Sequence, residues 1–280
     1  MARLQPEEFE MLSSYIHTIS GIHLEPTKGY LIENRLDSLL RDEGCTSFKE
    51  LYHKAVADPL RLIEGRIIDA MTTGETLFFR DSGLFDLLRR KIVPELARKR
   101  ATSTPPGLPI PLRIWSAGCS TGQEVYSLAM LLKDLMLDPP RYAIRLLGTD
   151  ISDAALHQAR QGRYSKFEVE RGLTREKLLA CFSHDKHGFK IREDLRNLAT
   201  FKKVNLLESL DGLGKFDIIL CRNVAIYFRD DKRTALFGKL SRLIEPDGYL
   251  LIGATESLGG TSPLFEARQE NRAVYYQLKS

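Results

Sequence analysis

Beyond Leu112 the chain alternates short apolar runs, at 112–116, 143–149, 216–221 and 249–252, with stretches of helical periodicity at 124–135, 153–161 and 232–243. Strands separated by helices are joined by crossovers, and crossovers favour parallel pairing. The pattern therefore predicts an α/β domain built on a mainly parallel, Rossmann-like sheet. A last apolar run at 273–278 suits an antiparallel edge strand. Between 162 and 200 the alternation is interrupted by a helical piece at 174–181 and a hairpin signal around His187 and Gly188, which predicts an inserted β-subdomain.

Residues 1–70 read differently. Phe9, Leu12, Ile16 and Ile19, then Tyr30, Leu31, Leu36, Leu39 and Leu40, fall at helical spacing, with breaks at Gly21, Pro26, Gly44 and Pro59. A small all-helical N-terminal domain is expected there, followed by the larger domain over 71–280. Another helix ends near Arg100, and Pro105, Pro106, Pro109 and Pro111 mark 101–111 as a surface connection, neither regular helix nor central strand. With 43% hydrophobic and 28% charged residues, disorder and fibrous architectures are excluded. A formal charge of +4 over 280 residues lacks the basic excess of a nucleic-acid-binding protein. No run reaches the roughly 18 apolar residues of a membrane span and the opening residues lack an apolar leader, so a cytoplasmic protein is expected. Cys45, Cys119, Cys181 and Cys221 show no C-x-x-C spacing and the six histidines are scattered, so neither a metal site nor a disulfide framework is expected.

Two places carry chemistry. Arg113-Ile114-Trp115-Ser116-Ala117-Gly118-Cys119-Ser120-Thr121-Gly122-Gln123-Glu124 reads as strand, small-residue loop and helix start. Small residues let backbone approach a ligand, and the helix start offers free N–H groups. The glycines do not follow G-x-G-x-x-G, which argues against a dinucleotide. The next run ends in Gly148-Thr149-Asp150, setting a carboxylate at the strand's carboxyl edge beside that loop. Such an acid can accept from both hydroxyls of a ribose; capping the next helix is the plainer role, but Ser152 is better placed for it. Late in the chain, Pro246-Asp247-Gly248 forms a turn between a helix and a strand, an arrangement common in methyltransferases that use S-adenosylmethionine (SAM).

Over nearly its whole length the chain resembles the chemotaxis receptor methyltransferases, the CheR family. The resemblance is carried by Thr72-Thr73-Gly74-Glu75-Thr76-Leu77-Phe78-Phe79-Arg80, by Trp115-Ser116-Ala117-Gly118-Cys119-Ser120-Thr121-Gly122-Gln123-Glu124, and by Cys221-Arg222-Asn223-Val224-Ala225-Ile226-Tyr227-Phe228. It implies a class I SAM-dependent methyltransferase domain with an inserted β-subdomain behind an N-terminal helical domain. The implied activity is methyl transfer from SAM to glutamate side chains of chemoreceptors, leaving S-adenosylhomocysteine (SAH) and a glutamyl methyl ester. By the same resemblance Thr76 and Arg80 hold the methionyl part of SAM, and Arg80 and Tyr227 lie at the reacting end. Glu124 accepts from the SAM amino group, Asp150 binds the ribose, Asn205 and Leu206 contact the adenine, and Asn223 and Val224 line the methionyl side. A guanidinium fork matching a carboxylate gives the Arg80 role a physical basis. Family members commonly carry Asn where this sequence has Gly74, so only backbone is expected to act at that position.

The implied partners are the receptors' cytoplasmic methylation helices, docking on the N-terminal helices. Residues 1–70 hold 8 Lys/Arg against 12 Asp/Glu, so docking needs a local patch; Lys28 and Arg35 share a face if their helix is continuous. Some family members capture a receptor's C-terminal pentapeptide on the β-subdomain, through a longer, glycine-rich hairpin loop. Here Phe182-Ser183-His184-Asp185-Lys186-His187-Gly188-Phe189 is compact with one glycine, so independence of such a peptide is expected. A monomer is expected, without membrane insertion. Of the alternatives, a nucleic-acid methyltransferase is disfavoured because Arg222-Asn223-Val224-Ala225 stands where an Asn/Asp-Pro-Pro-Tyr segment belongs. A non-catalytic SAM-binding scaffold is disfavoured by the presence of Arg80 and Tyr227.

Overall fold

Four helices, α1 (Pro6–Ser20), α2 (Gly29–Asp42), α3 (Phe48–Ala57) and α4 (Leu62–Met71), form the N-terminal domain. The computed structural model describes residues 3–135, 140–259, 262–271 and 273–279. Local chemistry sets the helix ends: Gln5 and Glu8 form a capping box on α1, Gly21 closes it at φ 77°, and Ser47 caps α3 through the Glu50 N–H. The apolar stripes meet in a core of their own in which Leu12, Ile16, Ile32, Leu36, Phe48, Leu51 and Ile67 are fully buried.

The larger domain continues with α5 (Ser82–Leu87), a π-helical turn (Leu88–Ile92), α6 (Val93–Ser103), β1 (Ile110–Ala117), α7 (Gln123–Asp134), β2 (Tyr142–Asp150), α8 (Asp153–Gln161) and β3 (Arg163–Tyr164). Then follow α9 (Lys166–Glu170), α10 (Arg175–Cys181), β4 (Phe182–Asp185), β5 (Gly188–Ile191), α11 (Glu193–Arg196), β6 (Ala199–Lys203), β7 (Phe216–Leu220), α12 (Asp230–Leu243), β8 (Ile244–Leu251), β9 (Phe265–Glu270) and β10 (Ala273–Leu278). The main sheet runs β6-β2-β1-β7-β8-β10-β9, parallel from β6 to β8 and antiparallel across the last two contacts. Alternate residues face opposite layers: Leu112, Ile114 and Leu146 pack with α7, while Trp115, Ala117 and Phe216 pack with Phe237 and Leu240 of α12. A second sheet, β3-β5-β4, belongs to the insertion. Among the described residues no helix is long and apolar enough to cross a membrane.

The expected α/β class and helical first domain are present, with differences in detail. The Pro-rich segment is not all connection: α6 extends to Ser103, and Pro111 sits inside β1, which is central. Pro111 is tolerated because β1 pairs with β7 only from Ile114 onward, so its missing N–H costs no ladder bond on that side. Ala199 and Thr200, read as the end of the insertion, already pair with Leu146 and Leu147 in the main sheet. The run at 273–278 forms β10, one strand in from the edge, and β9 is outermost. The Pro246-Asp247-Gly248 turn lies within β8 as a bulge, where the register jumps from Phe216↔Ile244 to Ile218↔Tyr249. Arg100 pins it, Nη1 and Nη2 donating to Asp247 at 3.0 and 2.7 Å while Nε donates to Asp217 at 2.6 Å.

Candidate active site

Parallel strands leave their carboxyl ends on one side, and the turns after β1, β2 and β7 open there onto a cavity of about 320 Å³. Thr76, Arg80, Glu124, Asp150, Asn205, Leu206, Asn223, Val224 and Tyr227, every site residue expected from the sequence, line this one cavity. The opposite wall belongs to the helical domain, through residues such as Leu24, Lys28, Leu31 and Arg35.

The turn after β1 is shaped by the glycine at its apex. Gly118 has φ +83°, and a Cβ there would lie 2.2 Å from Val224 Cγ2, so only glycine lets the β1 and β7 turns meet. The N–H groups of Gly118 and Cys119 both donate to the Thr149 carbonyl at 2.8 Å, tying this turn to the end of β2. Ser120, at φ 49°, then donates its N–H to Asp150 Oδ2 at 2.8 Å, and the Ser152 N–H donates to Oδ1 at 3.0 Å. Each carboxylate oxygen keeps a lone pair, so Asp150 can still accept two hydroxyl protons. Burial pushes its pKa above the ordinary carboxylate value, more than the backbone N–H groups pull it down. Helix capping falls to Ser152, whose Oγ accepts from the Ala155 N–H at 3.1 Å.

Glu124 sits in the first turn of α7, with Oε1 accepting from Ser116 Oγ at 2.7 Å and Oε2 from Arg222 Nη1 at 2.6 Å. Arg222 was not among the residues expected to act, although a guanidinium one residue beyond five buried strand residues is a signal that buried acids await it. Burial works against its charge, and Glu124 and Asp81 more than offset that, holding its pKa up. Arg80 donates from Nη1 to the Glu75 carbonyl at 3.2 Å. Asn205 is partly committed: Nδ2 donates to the Ile19 carbonyl at 3.0 Å and Oδ1 accepts from the Leu207 N–H at 3.0 Å. Tyr227 ends a short 3-10 turn, Ala225–Tyr227, and its carbonyl accepts from the His23 N–H at 3.0 Å. Asn223 stands at φ 56°.

At position 74 a Cβ would meet only Ser120 Oγ, at an ordinary 3.5 Å, so no steric demand for glycine exists there; its carbonyl accepts from Ser120 Oγ at 2.9 Å. The suggested basic pair is divided: Lys28 lies in the 3-10 turn before α2, and Arg35 donates to the Met71 carbonyl at 2.6 Å and to Thr73 Oγ1 at 3.2 Å. Arg35 therefore ties the helical domain to the following segment rather than standing free for docking. Taken together the cavity offers an acid for a diol, a second acid for an ammonium, a guanidinium for a carboxylate and the apolar sides of Leu206 and Val224.

Comparison with known proteins matches residues 74–274 to the family described as CheR methyltransferase, SAM binding domain, and residues 7–72 to CheR methyltransferase, all-alpha domain. The chain is 36% identical over 279 residues to a chemotaxis protein methyltransferase of Vibrio cholerae, covering 99% of this chain and 98% of that one. It is 34% identical over 276 residues to the chemotaxis protein methyltransferase Cher2 of Pseudomonas putida, covering 97% and 98%. To a chemotaxis protein methyltransferase of Borreliella burgdorferi it is 38% identical over 264 residues, covering 92% and 90%.

Proposed function

The chain belongs to the CheR methyltransferase family and is thus a SAM-dependent methyltransferase; from that premise we propose that its acceptors are glutamate side chains on the cytoplasmic methylation helices of chemoreceptors, which it converts to methyl esters. The donor and acceptor groups around the cavity fit SAM. Asp150 takes the ribose diol, Glu124 the amino group, Thr76 and Arg80 the methionyl carboxylate end, Asn205 and Leu206 the adenine, and Asn223 and Val224 the methionyl chain. SAM supplies an electrophilic methyl on a sulfonium sulfur. A glutamate side chain with pKa about 4.3 is already ionised at neutral pH, so the enzyme needs no general base. What its residues do is hold the acceptor carboxylate in line, with Arg80 and Tyr227 at the reacting end, and exclude water. Such positioning can supply on the order of 7–11 kcal/mol.

The observation that supports this reading most is the convergence of residues from three sequence-distant motifs, around Thr76, Glu124 and Asn223, on one cavity roofed by the helical domain. The test is incubation with radiolabelled SAM and membranes carrying candidate receptors, followed by base. Glutamyl methyl esters release volatile methanol, whereas label that stays on protein, as an N-methyl group does, would sink the glutamate assignment.

A further inference from the structure

Arg222 follows β7, all of whose residues are buried, and is itself only 6% exposed. Its fork reaches two segments distant in sequence: Nη1 donates to Glu124 Oε2 at 2.6 Å, and Nη2 donates to the Arg80 carbonyl at 3.0 Å and to the Asp81 carboxylate. Two of the residues around that carbonyl are backbone outliers, Phe79 at φ 51° and Asp81 at φ 65°, and so is Asn223, next to Arg222 itself, at φ 56°. Backbone in this region persists only where its surroundings hold it. Among the described residues the buried Nε–H has no partner, so the guanidinium is aimed at the two acids and the carbonyl at the expense of its own remaining donor. An ion pair this deep gains little over apolar packing of the same volume, so stability alone does not account for an arginine here.

We propose that Arg222 is a positioning residue for methyl transfer: it fixes the Glu124 carboxylate and the 79–81 turn that carries Arg80, and so sets both groups that hold the amino-acid end of SAM. Lysine cannot replace it, because one ammonium does not span acceptors on separate segments in the fixed fork that Arg222 uses. The inference rests on the SAM reading of the cavity but not on the identity of the methyl acceptor, and SAH binding tests it without any acceptor.

Calorimetric titration of SAH into wild type, Arg222→Met, Glu124→Gln and the double variant makes a thermodynamic cycle. Each single change should weaken SAH about tenfold or more, the scale of a lost charge-assisted hydrogen bond. The double variant should fall clearly short of the product of the two losses, because Arg222 acts partly through Glu124. Losses that multiply, as a packing role requires, overturn the proposal. If Arg222→Met does not fold, Arg222→Lys enters the cycle in its place: a sub-multiplicative loss supports the role, and SAH affinity equal to wild type overturns it. A wild-type chain that fails to bind SAH overturns the cofactor reading itself, a result distinct from any outcome of the cycle.

Discussion

Asp150 must remain ionised in a place that resists charge. Burial raises its pKa, so on acidification it protonates at a pH above the ordinary carboxylate range and loses acceptor capacity toward a ribose. SAH affinity should therefore decline as pH falls through that raised value, earlier than an unshifted aspartate would give. In the unliganded protein the sign is the reverse: its contribution to stability is present at low pH and lost as pH rises through the raised pKa. Asp150→Ala should weaken SAM and SAH alike by about 1–3 kcal/mol and abolish this part of the pH dependence, which calorimetry at several pH values measures. Arg80→Ala should instead cut turnover strongly with little change in the thermal midpoint, since its side-chain bond to the Glu75 carbonyl is exposed; activity that merely tracks unfolding would make it structural. Asp150 was legible because it ends an apolar run, and Arg80 because of its motif. Arg222 was not, since what makes its burial tolerable lies 98 and 141 positions away, at Glu124 and Asp81.

Elements were legible in proportion to how much they bury. The apolar runs and amphipathic helices of the core were found to within a few residues, whereas β6 and β9 were missed. As the two edge strands of the main sheet they alternate weakly, with only Phe265 buried between them, and leave no apolar run to read. The insertion's hairpin is tight: Asp185 pairs with Gly188, Arg163 grips the Asp185 carboxylate with both Nη atoms at 2.9 and 2.8 Å, and the His187 N–H donates to it at 2.8 Å. Among the described residues β4 pairs on one side only, with β5, so an edge exists for a peptide, but the loop beside it is drawn in rather than extended. We expect an Asn-Trp-Glu-Thr-Phe peptide to show no saturable binding in a calorimetric titration. Micromolar binding that disappears when 183–188 is rebuilt would show that the edge alone suffices.

Across the whole molecule, the two domains are joined beside the cavity. Asp69 of α4 accepts from the Oγ of Ser152, two residues from Asp150, at 2.7 Å and from the Ala154 N–H at 3.4 Å; Asn205 reaches the Ile19 carbonyl, and His23 donates to the Tyr227 carbonyl. Asp69→Ala should weaken SAH by about 1 kcal/mol, the worth of one such bond, and speed proteolysis between 71 and 76. Unchanged affinity and cleavage would show that the joint does not depend on it. The helical domain has a core of its own, separate from the two clusters that flank the sheet. Separate cores are free to melt separately. A ligand in contact with both walls of the cavity binds only when the two are together, and at a hundred times its dissociation constant it adds about 2.7 kcal/mol to the joined state. Heat-capacity traces should then show the helical domain melting on its own in the empty protein and together with the sheet in the filled one, so that the methyl donor also sets the size of the cooperative unit.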